Sequence, residues 1–338
     1  MVSDELAISI GATIGATLHA RPSARVHGGS INECYRWQSE VGPIFVKVAP
    51  ARNIEMFAAE AAGLEELRRA EAVRVPRVLG VGTSAGSAAR VSVAAAADNG
   101  AGQRATAAES DAGQRGDAAG GVGQGGETGA RAWLALEWIE AAPSSHATDA
   151  ILGEQIARQH RVTQKTFGWT RNNTIGSTPQ LNAECADWLT FYRDQRLCYQ
   201  LDLAARNGHG GRLQRRGALL VDCLPEFFRG YNPAPALLHG DLWGGNRLSD
   251  RHGQPVSFDP AVYYGDREAD IAMTRLFGGY GREFYAAYEA AWALDPGAAT
   301  RTDLYNLYHV LNHLNLFGEG YLGQAAALMD KLLAAVGR

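Results

Sequence analysis

The feature that most limits how this chain can fold is an interruption. From about residue 149 onward the apolar residues fall at helical spacing in segments near 149–163, 182–206, 211–229, 268–293, 301–318 and 323–336. Midway, the period breaks. Leu237-Leu238-His239 runs as a strand into a polar loop, His239-Gly240-Asp241-Leu242-Trp243-Gly244-Gly245-Asn246. Arg247-Leu248-Ser249 and Val256-Ser257-Phe258 then flank a turn at Asp250 to Gln254, reading as a hairpin, and Asp259-Pro260-Ala261 follows. The second half is therefore helical but carries a strand, an acidic loop and a hairpin at its centre.

The first half reads differently. Arg25-Val26-His27 enters a Gly28-Gly29-Ser30 turn, Cys34-Tyr35-Arg36-Trp37 leaves it, and Ile44-Phe45-Val46-Lys47-Val48 follows the Gly42-Pro43 turn. Between about Asn53 and Ala70, Met56, Ala59, Gly63, Leu64 and Leu67 fall at helical spacing, which predicts an amphipathic helix. Residues 74–81 read as a loop and strand, and Trp133 to Ile139 as a buried strand. Together these make a small antiparallel sheet with one helix.

From about Thr83 to Ala130 the sequence is Ala, Gly, Ser, Gln and Asp with almost no large apolar residue. Such a composition buries too little surface to offset ordering, so the segment reads as a flexible insertion in a strand-to-strand loop. Gly121-Val122-Gly123-Gln124-Gly125-Gly126 within it matches the dinucleotide fingerprint. That motif requires a strand before it and a helix after it, and here low complexity precedes and a strand follows, so it is read as coincidence.

Chemistry concentrates in the interruption. Phosphoryl transfer from ATP requires a carboxylate to accept the proton of the attacking hydroxyl and oxygen ligands for Mg²⁺. In kinase catalytic loops the base Asp is followed by four residues and a metal-binding Asn, and Asp241 and Asn246 have that spacing. Asp259, at the end of the next hairpin, supplies a second metal ligand. Asp and Asn are also favoured in turns, so it is their joint placement around a hairpin that points to catalysis. Lys47, within the apolar strand, fits the lysine that contacts ATP phosphates, with Glu60 on the following helix as its ion-pair partner. An edge-strand solubility lysine is the alternative. The chain holds only three lysines, Lys47, Lys165 and Lys331, against 32 Lys and Arg in total, which makes coincidence harder. Gly28, Gly29 and Ser30 would let backbone N–H groups approach phosphates, or form a plain hairpin turn. Glu137, Trp138 and Ile139 end the last strand and take the hinge position, where backbone groups meet adenine.

These residues together resemble the fructosamine kinase (ketosamine-3-kinase) family, itself related to aminoglycoside phosphotransferases and choline kinases. The resemblance covers roughly residues 25–82 and 131–325. It is carried by Gly28 to Glu33, Phe45-Val46-Lys47, Phe167-Gly168-Trp169 with Asn173 to Gln180, His239 to Asn246, Asp259-Pro260-Ala261 with Tyr264 to Glu268, and Leu311-Asn312-His313 with Phe317-Gly318. It implies an α+β, protein-kinase-like bilobal fold: a small antiparallel-sheet N-lobe over about 1–139 and a mostly helical C-lobe over 140–338. The implied reaction is ATP-dependent phosphorylation of the 3-hydroxyl of a ketosamine, with Mg²⁺, giving an unstable 3-phosphate that releases the amine. This is a deglycation repair, with glycated proteins or small ketosamines as substrates and a lean toward ribulosamines and erythrulosamines over fructosamines. The family pattern makes Asp241 the base, Asn246 and Asp259 the Mg²⁺ ligands, and Trp243 a wall of the sugar site.

Asp266 and Glu268 are candidates for sugar hydroxyls or the amine, or alternatively acids capping a helix start. His313 is a candidate for substrate contact or a packed core group. A small-molecule phosphotransferase of the aminoglycoside or choline kinase type would use the same catalytic parts. A catalytically dead scaffold is disfavoured, because Lys47, Glu60, Asp241, Asn246 and Asp259 are all present. After Asp259 the chain enters helix within about ten residues, leaving no long segment to dock a peptide. The loop position held by Cys in redox-sensitive relatives is Ser30 here, with Cys34 four residues later, so dimerisation through that cysteine is not expected and a monomer or weak dimer is.

A net charge of −4 lacks the basic stripe that nucleic acid requires. Four cysteines with no C-x-x-C pairing indicate neither zinc nor a disulfide scaffold and fit a reducing cytoplasm. No uninterrupted apolar stretch reaches membrane-spanning length, and no membrane association is expected.

Overall fold

The computed structural model describes residues 4–26, 32–84 and 129–338. Its first half is a five-stranded antiparallel sheet of β1 (Ala24–Val26), β2 (Glu33–Ser39), β3 (Gly42–Pro50), β4 (Val78–Thr83) and β5 (Arg131–Glu137), in the order β1-β2-β3-β5-β4. Gly28, Gly29 and Ser30 lie outside the described residues. The long Ala- and Gly-rich stretch leaves β4 and returns into β5, its immediate neighbour, so the two ends of the insertion are adjacent in the sheet.

Two helices flank this sheet. Helix α1 (Asp4–Ile14), which the sequence reading did not anticipate, buries Leu6 and Ile10 against Trp37, Val46 and Trp133. Helix α2 (Ile54–Arg69) buries Phe57, Ala61, Leu64 and Leu67. Gly63 permits its close approach to the second half, because a Cβ there would meet Val262 Cγ2 at 3.1 Å.

Beyond the sheet, β6 (Ala141–Ala142) pairs with the later hairpin, and α3 (His146–His160) starts at Ser145, whose hydroxyl accepts from the Thr148 N–H. The remaining elements are hairpin β7 (Asn173–Ile175) and β8 (Thr178–Gln180), helices α4 (Trp188–Tyr192), α5 (Tyr199–Arg206) and α6 (Arg212–Phe227), and strand β9 (Ala236–Leu238). A π-helical turn, Arg193–Cys198, joins α4 to α5. Then come hairpin β10 (Arg247–Asp250) and β11 (Pro255–Ser257), strand β12 (Tyr263–Gly265), and helices α7 (Arg267–Arg275), α8 (Arg282–Ala291), α9 (Ala298–Phe317) and α10 (Leu322–Ala335).

Three differences from the sequence reading have local causes. The expected single helix over 268–293 is two, α7 and α8, because Phe277, Gly278 and Gly279 all take positive φ, at 53°, 102° and 73°. The segment expected from 182 becomes helical only at Trp188, where the Asp187 carboxylate accepts from the Thr190 N–H. Hairpin β7-β8 was not anticipated, since its strands are three residues each. Between the halves runs one continuous apolar core, from Leu64, Val81 and Leu134 to Trp188, Phe191 and Leu311. Truncating a fully buried aromatic such as Trp188 in such a core typically costs about 3–5 kcal/mol. Among the described residues no helix is long and apolar enough to cross a membrane.

Candidate active site

Lys47 sits mid-strand on β3, with Leu134 of β5 on one side and Cys34 of β2 on the other in register. Its side chain is buried, and Nζ donates to Glu60 Oε1 at 2.7 Å and to Asp259 Oδ1 at 2.6 Å. Burial alone would push the ammonium down, but Asp259 and Glu60 outweigh it and hold it above the usual lysine range. Burial pushes the Glu60 carboxyl up, against the pull of Lys47. Burial pushes the Cys34 thiol up to about 11 against the pull of Lys47, which favours the neutral thiol.

The loop after β9 is shaped by close backbone contact. Gly240 has φ 81°, and a Cβ there would lie 2.0 Å from Ala261 O, so only glycine fits. Asp270 on α7 receives both the His239 N–H, at 2.7 Å, and the Gly240 N–H, at 2.9 Å. His239 donates from Nε2 to Phe258 O and accepts the Asp241 N–H at Nδ1, a pattern that needs a neutral imidazole. Its burial, which lowers the imidazole pKa, agrees.

Asp241 emerges from this loop. Asn246 Nδ2 donates to its Oδ2 and to its backbone carbonyl, both at 2.9 Å, and reaches Asp259 O at 3.4 Å. Burial pushes the Asp241 carboxyl up to about 7; Asn246 opposes this, while the Asp259 and Asp270 charges add to it. Asp259 itself has φ 56°, a left-handed conformation uncommon outside Gly, Asn and Asp. Lys47, Glu60, Asp241, Asn246 and Asp259 all line one cavity of about 410 Å³. A carboxylate able to take a proton thus shares one cavity with a lysine cation and with the side-chain oxygens of Asn246 and Asp259.

Trp243 and His313 line the same cavity. The Trp243 ring lies 6.3 Å from that of Phe277, nearly perpendicular, and His313 lies 4.6 Å from Phe277. The expected hinge residues do not join them. Glu137, Trp138 and Ile139 line a separate cavity of about 330 Å³ with Arg74 and Pro43. There Glu137 pairs with Arg74 at 2.8 Å, and Arg36 lies over the Trp138 ring at 5.0 Å.

Asp266 and Glu268 are corrections to the sequence reading, since neither lines the cavity. Asp266 is fully buried, caps α7 through the Glu268 N–H and accepts the hydroxyls of Tyr231 and Tyr305. Glu268 forms a buried two-pronged ion pair with Arg301 of α9, at 2.7 and 3.0 Å. The sequence reading gave other contributors no site role, although Thr174, Gly176 and Phe317 fall in segments that carry the resemblance. Thr174 and Gly176 of the β7-β8 hairpin line the cavity, as do His309 and Phe317, which with His313 recur every fourth residue on α9 and so share a helix face. That spacing was the available signal.

The profile of the fructosamine kinase family matches residues 3–335. The chain is 36% identical over 329 residues to "Probable ketoamine kinase slr1563" of Synechocystis sp., covering 97% of this chain and 96% of the relative. It is 35% identical over 310 residues to the chloroplastic protein-ribulosamine 3-kinase of Arabidopsis thaliana, covering 91% and 81%. A provisionally named fructosamine-3-kinase crystal structure from Thermobifida fusca superposes with a TM-score of 0.75 at 27% identity, covering 98% of this chain and 100% of that one. An aminoglycoside phosphotransferase at 12% identity shares the fold, with a TM-score of 0.56 over 98% and 99% of the two chains.

Proposed function

The chain belongs to the fructosamine kinase family, and from that premise we propose that it transfers the terminal phosphoryl group of ATP to the 3-hydroxyl of ketosamines, ribulosamines foremost. The observation that carries the reading is the convergence of Lys47, Glu60, Asp241, Asn246 and Asp259 on one cavity. Asp241 is the base: it takes the proton of the acceptor hydroxyl as the oxygen attacks phosphorus and ADP leaves. Desolvation supports this role, because a carboxyl pushed up to about 7 is a better proton acceptor than a solvated aspartate. Asn246 orients it through two hydrogen bonds. Lys47 holds the phosphates and Glu60 holds Lys47.

The donor chemistry fits a magnesium ion. An amide oxygen of Asn246 and the carboxylate of Asp259 are hard ligands, and Mg²⁺ is commonly bound by one or two carboxylates with substrate phosphates completing the set. Among the described residues no three His, Cys, Asp or Glu side chains cluster as a metal cage, which suits an ion that arrives with its nucleotide. When bound, it would neutralise charge developing on the phosphates. The product is a ketosamine 3-phosphate, whose breakdown releases the amine, so the biological outcome is deglycation.

The test is an acceptor panel of ribulose-lysine, fructose-lysine, choline and kanamycin with ATP and Mg²⁺, read as ADP release and acceptor phosphorylation. Turnover is expected on the ketosamines, with ribulose-lysine ahead. Silence on both ketosamines would sink the reading.

A further inference from the structure

We propose that Phe277 sets acceptor specificity by receiving the amine-bearing carbon of the ketosamine against its ring, at the mouth of the Lys47–Asp241 cavity. The inference rests on the ketosamine reading above and names the part of the acceptor that this end of the site recognises.

The cavity is polarised. Its acidic side chains, Glu60, Asp241 and Asp259, stand at the end where Lys47 and Asn246 engage them. A row of rings lines the same cavity. Phe277 meets Trp243 at 6.3 Å and His313 at 4.6 Å, and His313 meets Phe317 at 5.4 Å and Tyr321 at 5.1 Å. Burial lowers the pKa of both histidines there, His313 and His309, which favours their neutral forms. An aromatic face without a cation is a receptor for one.

Backbone conformation singles out Phe277 from the other rings. It is a bulky residue at φ 53°, in the left-handed region that such side chains rarely adopt, and it precedes two glycines that also take positive φ. A glycine would form this turn without strain. The turn instead carries an aromatic ring that is 37% exposed, although it lines the cavity. Strain at a cavity mouth of this kind points to a role for the side chain that is held there.

The chemistry of the acceptor matches. A ketosamine carries its amine on C1, a few bonds from the 3-hydroxyl that must reach Asp241. Trp243, two residues after Asp241, spans from that loop to the Phe277 ring. With the hydroxyl at Asp241 and the sugar along Trp243, the amine and the chain it modifies leave past Phe277. A protonated secondary amine gains from the ring face, and its alkyl arm gains from the apolar rim that Phe317 extends, itself 51% exposed.

The experiment compares two acceptors, ribulose-lysine and 1-deoxyribulose, the same sugar lacking the amine, using the full chain with ATP and Mg²⁺. The readout is the ratio of their kcat/KM values in wild type, Phe277→Leu and Phe277→Tyr. Both substitutions keep a Cβ and the same backbone strain, so the pair isolates the ring. We expect Phe277→Leu to lower the ratio about fivefold and Phe277→Tyr to preserve it. An unchanged ratio in Phe277→Leu, or an equal fall in both variants, would overturn the proposal while leaving the ketosamine activity intact. A wild type inactive on every ketosamine would overturn the activity reading itself, and this proposal with it.

Discussion

Two groups of acids lie within thirty residues of one another in the sequence and end in opposite surroundings. Asp241 and Asp259 face the cavity, where the Asp259 carboxylate is held by Lys47 and remains 37% exposed. Asp266, Glu268 and Asp270 are buried in the helical half, each tied to groups of the framework. The first pair is left with capacity to bind something, while the second set is consumed by Tyr231, Tyr305, Arg301, His160 and three backbone N–H groups. The lesson is that an acid's role here follows from what already satisfies it, and composition alone does not separate the two groups.

Mutating one member of each group would break this comparison if it is wrong. Asp241→Asn is expected to lower kcat by about a thousandfold, the loss of a general base, with nucleotide binding retained as a thermal shift with ATP and Mg²⁺. Wild-type turnover in that variant would remove Asp241 as the base. Glu268→Ala is expected to do the reverse. It removes the two-pronged partner of Arg301 and leaves the guanidinium with only the Asp295 carboxylate, the Phe227 carbonyl and the Tyr231 ring, costing about 3 kcal/mol of stability by urea unfolding, while KM for the acceptor in the folded protein stays at its wild-type value. A selective rise in acceptor KM without loss of stability would return Glu268 to the substrate site.

Asp270 sharpens the comparison because it belongs to the buried group yet holds the loop that presents Asp241. It accepts two consecutive backbone N–H groups and His160 Nε2, which in turn is fixed through Nδ1 by the Tyr288 hydroxyl. Asp270→Asn weakens charge-assisted bonds to the loop, so kcat should fall about tenfold, with little change in the thermal shift produced by ATP. An equal loss in nucleotide binding would show that Asp270 supports the fold of the whole cleft and has no special hold on the loop.

Much of this was legible before any coordinates. The Asp241–Asn246 spacing and the lysine within an apolar strand brought the cavity's polar end into view, because catalytic groups of that kind must sit on a rigid loop and strand whose patterns are local. The sheet was legible for the same reason: short apolar runs around Trp37, Val46 and Leu134, the first two bounded by the Gly42-Pro43 turn, predict strands directly. What escaped depended on contacts distant in sequence. Acids at the start of a helix look alike whether they cap it or bind a ligand, and only Arg301, 33 residues beyond Glu268, decides the matter. The break at Phe277 escaped because the apolar period runs on either side of two glycines, which a helix can tolerate. The last sheet strand ends at Glu137, two residues before the expected Ile139, and Glu137 turns its carboxylate to Arg74, a contact between distant segments that strand periodicity does not reveal.

The smallest effect tests the buried group by pH. Burial first, and then the Glu268 charge, push the Asp266 carboxyl up to about 6, against an ordinary value of 3.8. A carboxyl whose folded pKa is raised binds its proton more tightly in the native state. Its contribution to stability is therefore full below about pH 4 and is lost as pH rises through about 6. Asp266→Asn removes that titration while keeping Oδ1 to accept from the Tyr231 hydroxyl and the Glu268 N–H, with the amide NH2 turned to the Tyr305 oxygen. Urea unfolding across this window should show wild type losing stability relative to Asp266→Asn as pH rises, a gap that then stays level above pH 7. A gap that moved the other way would mean that the hydroxyls of Tyr231 and Tyr305 stabilise the ionised form more than burial opposes it. Asp266 would then resemble Asp270, whose pKa is lowered because its bonds to His160 and Gly240 outweigh burial, and the buried acids would form one charged framework instead of two differently protonated sites.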